Sequence, residues 1–345
     1  MSGGVDSAVA AILMKEAGYE CIGVTMKLLA SGGSKCCSLE DINDARAVAW
    51  KLQINHYVLN CTGEFSRHVI DPFVMSYLTG ETPNPCIECN RHLKFSSLVH
   101  RAAELEAEKL VTGHYARIGK SGGRWLLKKG VDLHKDQSYV LYMMKQDTLS
   151  GTVFPLGEYN KAEVRELAAA NDLANAEKEE SQDICFVDGK DYAAFIENYT
   201  GQSSPHGDIT GTDGKILGRH RGLIRYTLGQ RRGTGVAVNT PVYVVAKNAA
   251  ANRLVVGAES SLYSKSFTAS RINLIACENL FKAERLKVKI RYLHKEQWAQ
   301  VEQTEKDSIR VTFEEPQRAV SPGQAAVFYD GDTVVGGGTI ANIAE

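Results

Sequence analysis

Net charge is nearly absent from this sequence: 40 Lys and Arg against 41 Asp and Glu leave a formal -1 at pH 7. That balance excludes a polyanion or membrane-surface binder acting through global charge, so any nucleic-acid contact must come from a local patch. Long hydrophobic runs are also absent, with nothing near the ~18 consecutive apolar residues of a membrane span. No basic stretch followed by an apolar core precedes the first motif, which argues against a secretory leader. Neither an internal repeat nor a long low-complexity tract is visible. What is present is an ordinary globular composition, 43% apolar and 23% charged over 345 residues, enough for two or three domains. Eight cysteines in so long a chain point to a reducing compartment, where they read first as catalysts or metal ligands. The expectation is a cytoplasmic protein.

Residues 1–120 alternate helix and strand patterns. Ser7–Ala17 reads as a helix stopped by Gly18, "YECIGVTMKLL" as a buried strand, and "SLEDINDARAVAWKLQI" as a helix with Ser38 as N-cap. "HYVLNC" is a second strand, "FSSLVHRAAELEAEKL" a helix, "LVTGHYARI" a strand running into a loop, and "KAEVRELAAAND" a further helix. This alternation predicts an α/β fold, a doubly wound parallel sheet with ligands beyond the carboxyl ends of its strands. From about Gly207 the texture changes to short period-two runs with frequent turns, which predicts a small β-rich connector and a C-terminal antiparallel β-barrel. The domains are read as 1–206, 207–270 and 271–345.

The first motif, "SGGVDS", places Ser2, Gly3, Gly4, Val5, Asp6 and Ser7 directly before a helix. Glycines let backbone N–H groups close on phosphate oxygens, and the helix N-terminus adds partial positive charge. No Gly-Lys-Ser/Thr follows, so this is not a Walker A loop. It resembles the pyrophosphate loop of the N-type ATP pyrophosphatases, which split ATP between the α- and β-phosphates. That superfamily pattern sets a central strand before Ser2, where this sequence has only Met1. The reading is therefore of a chain that starts inside the domain.

"TPNPCIECNRHLKF" sets Cys86 and Cys89 two residues apart, after two prolines and before a helix. A helix N-terminus and the nearby Arg91, His92 and Lys94 are expected to favour thiolate. Cys185 lies far along, in "SQDICFV". Cys36 and Cys37, in "GGSKCCSLED", are neighbours that chelate poorly and read as ordinary loop residues. Cys21, Cys61 and Cys277 read as core. "GRHRGLIRYTLGQRRGTG" gathers Arg219, Arg221, Arg225, Arg231 and Arg232 with no acidic residue, a cationic patch suited to phosphates. Tyr226 within it either stacks on a base or packs.

"SGGVDS", "TPNPCIECNRHLKF", "TGHYAR", "KDQSY", "SQDICF", "YTLGQRRG" and "SPGQAAVFYDG" occur in the order found in the bacterial tRNA-uridine 2-sulfurtransferases, and this resemblance covers essentially the whole chain. It implies ATP-dependent 2-thiolation of the wobble uridine of tRNA, with Mg²⁺ as counter-ion to pyrophosphate. It implies a persulfide on Cys185 and Cys89 as the nucleophile that resolves it, through a Cys89–Cys185 disulfide or by release of sulfide. It sets Met26 and Gly113 at the adenine and Asn84, Pro85 and Cys86 around the target base. His114, Lys135, Asp136, Gln137, Arg231, Arg232, Arg291, Tyr292 and Gln324 are set against tRNA.

Many members carry Asp where this chain has Cys86. The substitution opens a second route, in which Cys86, Cys89 and Cys185 hold an iron–sulfur cluster. A third reading makes Cys86 and Cys89 a redox pair. The alternative function is a nitrogen-transferring relative, either an amidating or an argininosuccinate-synthase-like ligase. Expected partners are the tRNA anticodon loop and a sulfur donor, a cysteine desulfurase or persulfide relay protein, acting on a monomer.

Overall fold

A computed structural model describes residues 1–30, 38–173, 184–187, 189, 191–236 and 240–344. These fold as two compact units. The first comprises Met1–Ile70, Pro85–Lys190 and Asp332–Val334; the second comprises Asp71–Asn84, Asp191–Gly331 and Val335–Glu345.

In the first unit, α1 (Val5–Glu16) buries Val5, Ala8, Val9 and Ile12 in a core shared with Val48, Leu156, Val164 and Ala168. Gly18, at φ +87°, follows its end, the left-handed conformation that glycine adopts without strain. β1 (Ile22–Lys27), α2 (Leu39–Lys51) and β2 (Asn55–Asn60) follow as predicted, and β1 and β2 pair in parallel. Ser38 caps α2 in a full capping box with Asp41. Beyond α3 (Pro85–Cys89) the chain continues as a π-helical segment, Asn90–Ser97, kinked at Phe95, and then as the α-helix Leu98–Glu104.

The strand read over "LVTGHYARI" divides in two. β3 (Leu110–Val111) stops before Gly113, and β4 (Ala116–Ser121) turns back antiparallel onto β5 (Arg124–Lys129). β3 pairs in parallel with β6 (Thr152–Val153), and α4 (Lys161–Ala170) carries a capping box from Asn160 and Glu163. The doubly wound sheet is therefore present as two parallel pairs, β1–β2 and β3–β6, and no described strand joins them. Met1 alone lies along β1: its ammonium donates to the Val24 carbonyl, and its own carbonyl accepts from Thr25 Oγ1.

The second unit holds a four-stranded sheet of β7 (Gly207–Gly211), β8 (Ile216–His220), β9 (Tyr243–Asn248) and β10 (Arg253–Gly257), in the order β8-β7-β10-β9. Its core is Ile209, Leu223, Tyr226, Val244, Leu254 and Val256. After it come β11 (Tyr263–Leu274), β12 (Glu284–Lys289), β13 (Gln297–Glu305), β14 (Ser308–Arg318), β15 (Ala325–Asp330) and β16 (Thr333–Ala344). These run in the order β11-β14-β13-β12-β15-β16, and β11 pairs with β16 to close a six-stranded barrel. The period-two pattern turns Leu286, Val288, Ala299, Val301, Ile309 and Val311 inward, so side chains fill the barrel. Closure removes the open edges that a flat sheet of this length would expose.

Candidate functional site

The loop before α1 is built around two glycines. Gly3 is buried at φ +77°, and a Cβ there would lie 2.4 Å from the Asp41 carbonyl oxygen. Gly4 is the N-cap, so no side chain caps α1, whereas α2 and α4 both carry complete capping boxes. Among the described residues no side chain caps the first amides of α1, an arrangement that suits an anion site. Gly113 closes the opposite wall, since a Cβ on it would sit 2.7 Å from the Asp6 carbonyl carbon and 2.9 Å from the Ser7 nitrogen. The expected nucleotide residues Gly3, Gly4, Asp6, Ser7 and Gly113 are therefore brought together.

Within the loop, the Ser2 amide donates to Ser7 Oγ at 3.0 Å, and Ser7 Oγ donates to the Gly4 carbonyl at 3.0 Å. Asp6 Oδ1 accepts from the Tyr115 hydroxyl at 2.8 Å and from Lys161 Nζ at 2.7 Å. Lys161 was not anticipated from the sequence. It is the first residue of α4 and is buried, with its ammonium 5.7 Å from the Tyr115 ring centroid. The signal was available: "NKAE" is a capping box, and a lysine just inside a helix start, where the dipole disfavours it, marks a cation held for another purpose. Met26, at the carboxyl end of β1, lines a small open pocket with Leu59, Asn60, Cys61, Glu64, Ser97, Leu98 and Arg101. Burial raises the Cys61 thiol pKa, and Glu64 adds to the rise.

Cys86 lies in the first turn of α3 and is exposed, whereas Cys89 ends that helix and is half-buried. The charge near them is not simply positive. The Glu88 carboxylate lies 3.6 Å from Arg91 Nε and 3.3 Å from His92 Nε2. Burial lowers the His92 pKa, against the pull of Glu88. Cys185 is half-buried in a turn beside Phe186, whose ring meets Phe65 edge-on at 5.6 Å. Cys36, Cys37 and residues 181–183 of the "SQDICF" motif lie outside the described residues. Among the described residues, no three His, Cys, Asp or Glu side chains are grouped to hold a metal ion.

Several residues expected against tRNA have internal tasks. His114 is buried, its Nδ1 bonded to Thr112 Oγ1 at 2.7 Å and its ring packed beside Phe95 and Phe154. Burial, reinforced by Lys94, holds its pKa well below the ordinary histidine range. Asp136 is buried and accepts from the Gly130 and Ser138 amides and from Ser138 Oγ. Gln137 Oε1 accepts from the Tyr115 amide at 3.0 Å, while Lys135 stays half-buried.

In the second unit, Arg219, Arg221, Arg231 and Arg232 are exposed, but Arg225 is bound to Glu197 at 2.5 Å. Tyr226 is buried in the core and packs rather than presenting a stacking face. Gln324 Nε2 donates to the Thr82 carbonyl at 2.8 Å and so fastens the stretch leading to Asn84. Arg291 donates to the Arg318 and Ala319 carbonyls, and Tyr292 beside it is half-buried.

The fold and loop define a class, a nucleotide-binding HUP domain followed by two β modules. Family models match accordingly: "tRNA methyl transferase HUP domain" over residues 1–189, "tRNA methyl transferase PRC-barrel domain" over 193–258, and "Aminomethyltransferase beta-barrel domain" over 264–340. A protein of Lachnoclostridium phytofermentans named tRNA-specific 2-thiouridylase is 47% identical, covering 99% of this chain and 98% of its own. One of Moorella thermoacetica with the same name is 48% identical, covering 100% and 99%. The chain belongs to the tRNA-specific 2-thiouridylase family.

Proposed function

We propose that this protein is an ATP-dependent tRNA-uridine 2-sulfurtransferase. The observation that carries the reading is the uncapped start of α1, walled by Gly113 and braced by Asp6 and Lys161, in a chain of this family. A nitrogen-transferring ligase would share that loop, but family membership along the whole chain sets it aside.

ATP phosphates would take the free amides of α1, with Lys161 and Ser7 beside them and Met26 and Gly113 at the adenine. Mg²⁺ would enter with the nucleotide, held by its phosphates and at most the Asp6 carboxylate. The uridine 2-oxo oxygen attacks the α-phosphorus and pyrophosphate leaves, which turns a poor leaving group into AMP. The terminal sulfur of a Cys185 persulfide then attacks C2, and AMP departs. Cys89 thiolate takes the inner sulfur of Cys185, leaving a Cys89–Cys185 disulfide that an external thiol reduces. In the other order, Cys89 releases the persulfide sulfur as sulfide, which attacks C2.

Asn84, Pro85 and Cys86 would frame the splayed base, with Lys135, Arg231, Arg232 and Tyr292 on the backbone. His114, Asp136, Gln137, Arg291 and Gln324 would position those contacts from within. A wobble base is already unpaired in its loop, so extruding it is inexpensive. The sulfur donor would be a cysteine desulfurase or a relay it charges, and the enzyme a cytoplasmic monomer.

Cys185→Ser is the test. It is expected to abolish thiolation of unmodified tRNA while tRNA-dependent release of AMP and pyrophosphate persists. Loss of both activities in a folded variant would sink the persulfide assignment.

A further inference from the structure

The outer face of the barrel carries a feature that the mechanism does not use. Leu286 and Val288 point into the barrel, so Arg285, Lys287 and Lys289 of β12 point outward. On β13, Ala299 and Val301 point inward and Trp298 outward, directly across from Lys287. The Arg285 guanidinium lies 4.0 Å from the Trp298 ring centroid and Lys287 Nζ 5.3 Å from it. Lys289 Nζ lies 5.6 Å from the Tyr292 ring. Glu314 holds Arg285 in place through two bonds, of 2.6 and 3.2 Å. Trp298 remains 39% exposed.

Cations at alternate positions of one strand repel each other unless something takes up the charge. Here two aromatic rings lie beneath them, and a tryptophan is left on a surface where a polar residue would suit water better. Outward residues recur about every 6.7 Å along a strand, a spacing that successive phosphates of one nucleic-acid strand can follow. Lysines along a backbone with an aromatic platform between them are the usual equipment of single-strand RNA surfaces.

We infer that Lys287, Lys289 and Trp298 form a second tRNA contact surface on the barrel. The lysines bind phosphates of an unpaired stretch of the substrate, and the exposed part of the Trp298 ring carries a base or ribose. The inference rests on the tRNA reading above and concerns affinity and placement rather than chemistry.

The test is binding of unmodified tRNA to the full-length protein, followed by anisotropy over a range of salt. Lys287→Gln with Lys289→Gln is expected to flatten the slope of log K against log salt by about 0.7 per lysine on single strands. Trp298→Ala is expected to weaken binding roughly 5- to 100-fold, and Trp298→Phe to restore most of it. Wild-type slope and affinity in the Gln pair and in Trp298→Ala would overturn the inference and leave this face to an acidic protein partner. A Phe variant as weak as the Ala variant would also overturn it, since a stacking platform needs only the ring. Failure of the wild-type protein to bind tRNA would overturn the substrate reading as well, so the two failures are distinguishable.

Discussion

Lys247 shows how much a single buried cation can weigh. Its Nζ is enclosed, 5.8 Å from the Tyr77 ring centroid, and finds no hydrogen-bond partner among the described residues. Burial pushes its pKa down from 10.5 to about 8, with Glu81 pulling the other way. The folded value lies below the unfolded one, so the unfolded chain binds the proton more tightly. The resulting penalty is full below pH 8 and fades as pH rises toward 10.5. Lys247→Met should therefore stabilise the second unit at pH 7, by at most about 3 kcal/mol. Calorimetry at pH 7 and pH 10 checks this: the gain should shrink at the higher pH, and an equal gain at both would refute the cause.

Residue identity was legible where the backbone leaves one choice, as with Gly3 at φ +77°. It was not legible for Lys161, whose Asp6 partner lies 155 positions away. Nor could it separate the buried His114 from an RNA contact, because a polar residue in a motif looks the same whether it faces water or the core.

Helices with their own caps and a helix without one divide the first unit by role. α2 and α4 each carry a side-chain cap on an early amide, so anions should stabilise their starts less than that of α1, which has no side-chain cap. Gly113→Ala tests the wall opposite α1. Its Cβ would meet backbone rather than a flexible side-chain end, so either β3 or α1 must shift. ATP affinity is expected to fall at least tenfold while the barrel's melting is unchanged; nucleotide titration by calorimetry reads the first. Wild-type affinity would remove Gly113 from the nucleotide site.

The elements themselves were largely visible in the sequence. Ser38 and Asp41 signalled α2, and "KAEVREL" signalled α4, through local hydrogen-bond chemistry that needs no tertiary partner. The helix after Cys89 was harder to read. Its π-helical stretch hydrogen-bonds out of register, and the buried Asn90 donates to the distant Val140 carbonyl. Such a register depends on packing rather than on periodicity.

For the whole molecule, the sequence divides its chemistry between the two units. The loop before α1 and Cys86, Cys89 and Cys185 fall in the first; the exposed Arg219, Arg221, Arg231 and Arg232 fall in the second. Neutralising Arg231 and Arg232 together should weaken tRNA binding and reduce its salt slope, by about 0.7–0.9 per contact made. A slope equal to that of the wild type would take them off the interface. The alternation of "RLKVKIRYL" and "SIRVTFEE" foretold a barrel because each strand buries one face. The pairing that closes it was not legible strand by strand, since β11 and β16 are segments some seventy residues apart and their register is set by shear rather than by local pattern.

The two parallel pairs of the first unit also set a clock. Among the described residues β1 has a strand partner on one side only, and β3 likewise, so amides directed to those edges lack the strand-to-strand protection found in the barrel. Deuterium should enter those positions well before it enters the barrel. If nucleotide binding at α1 draws this region together, ATP should slow that entry in the first unit and leave the barrel's uptake unchanged. Mass spectrometry of the exchanging chain would record both rates at once.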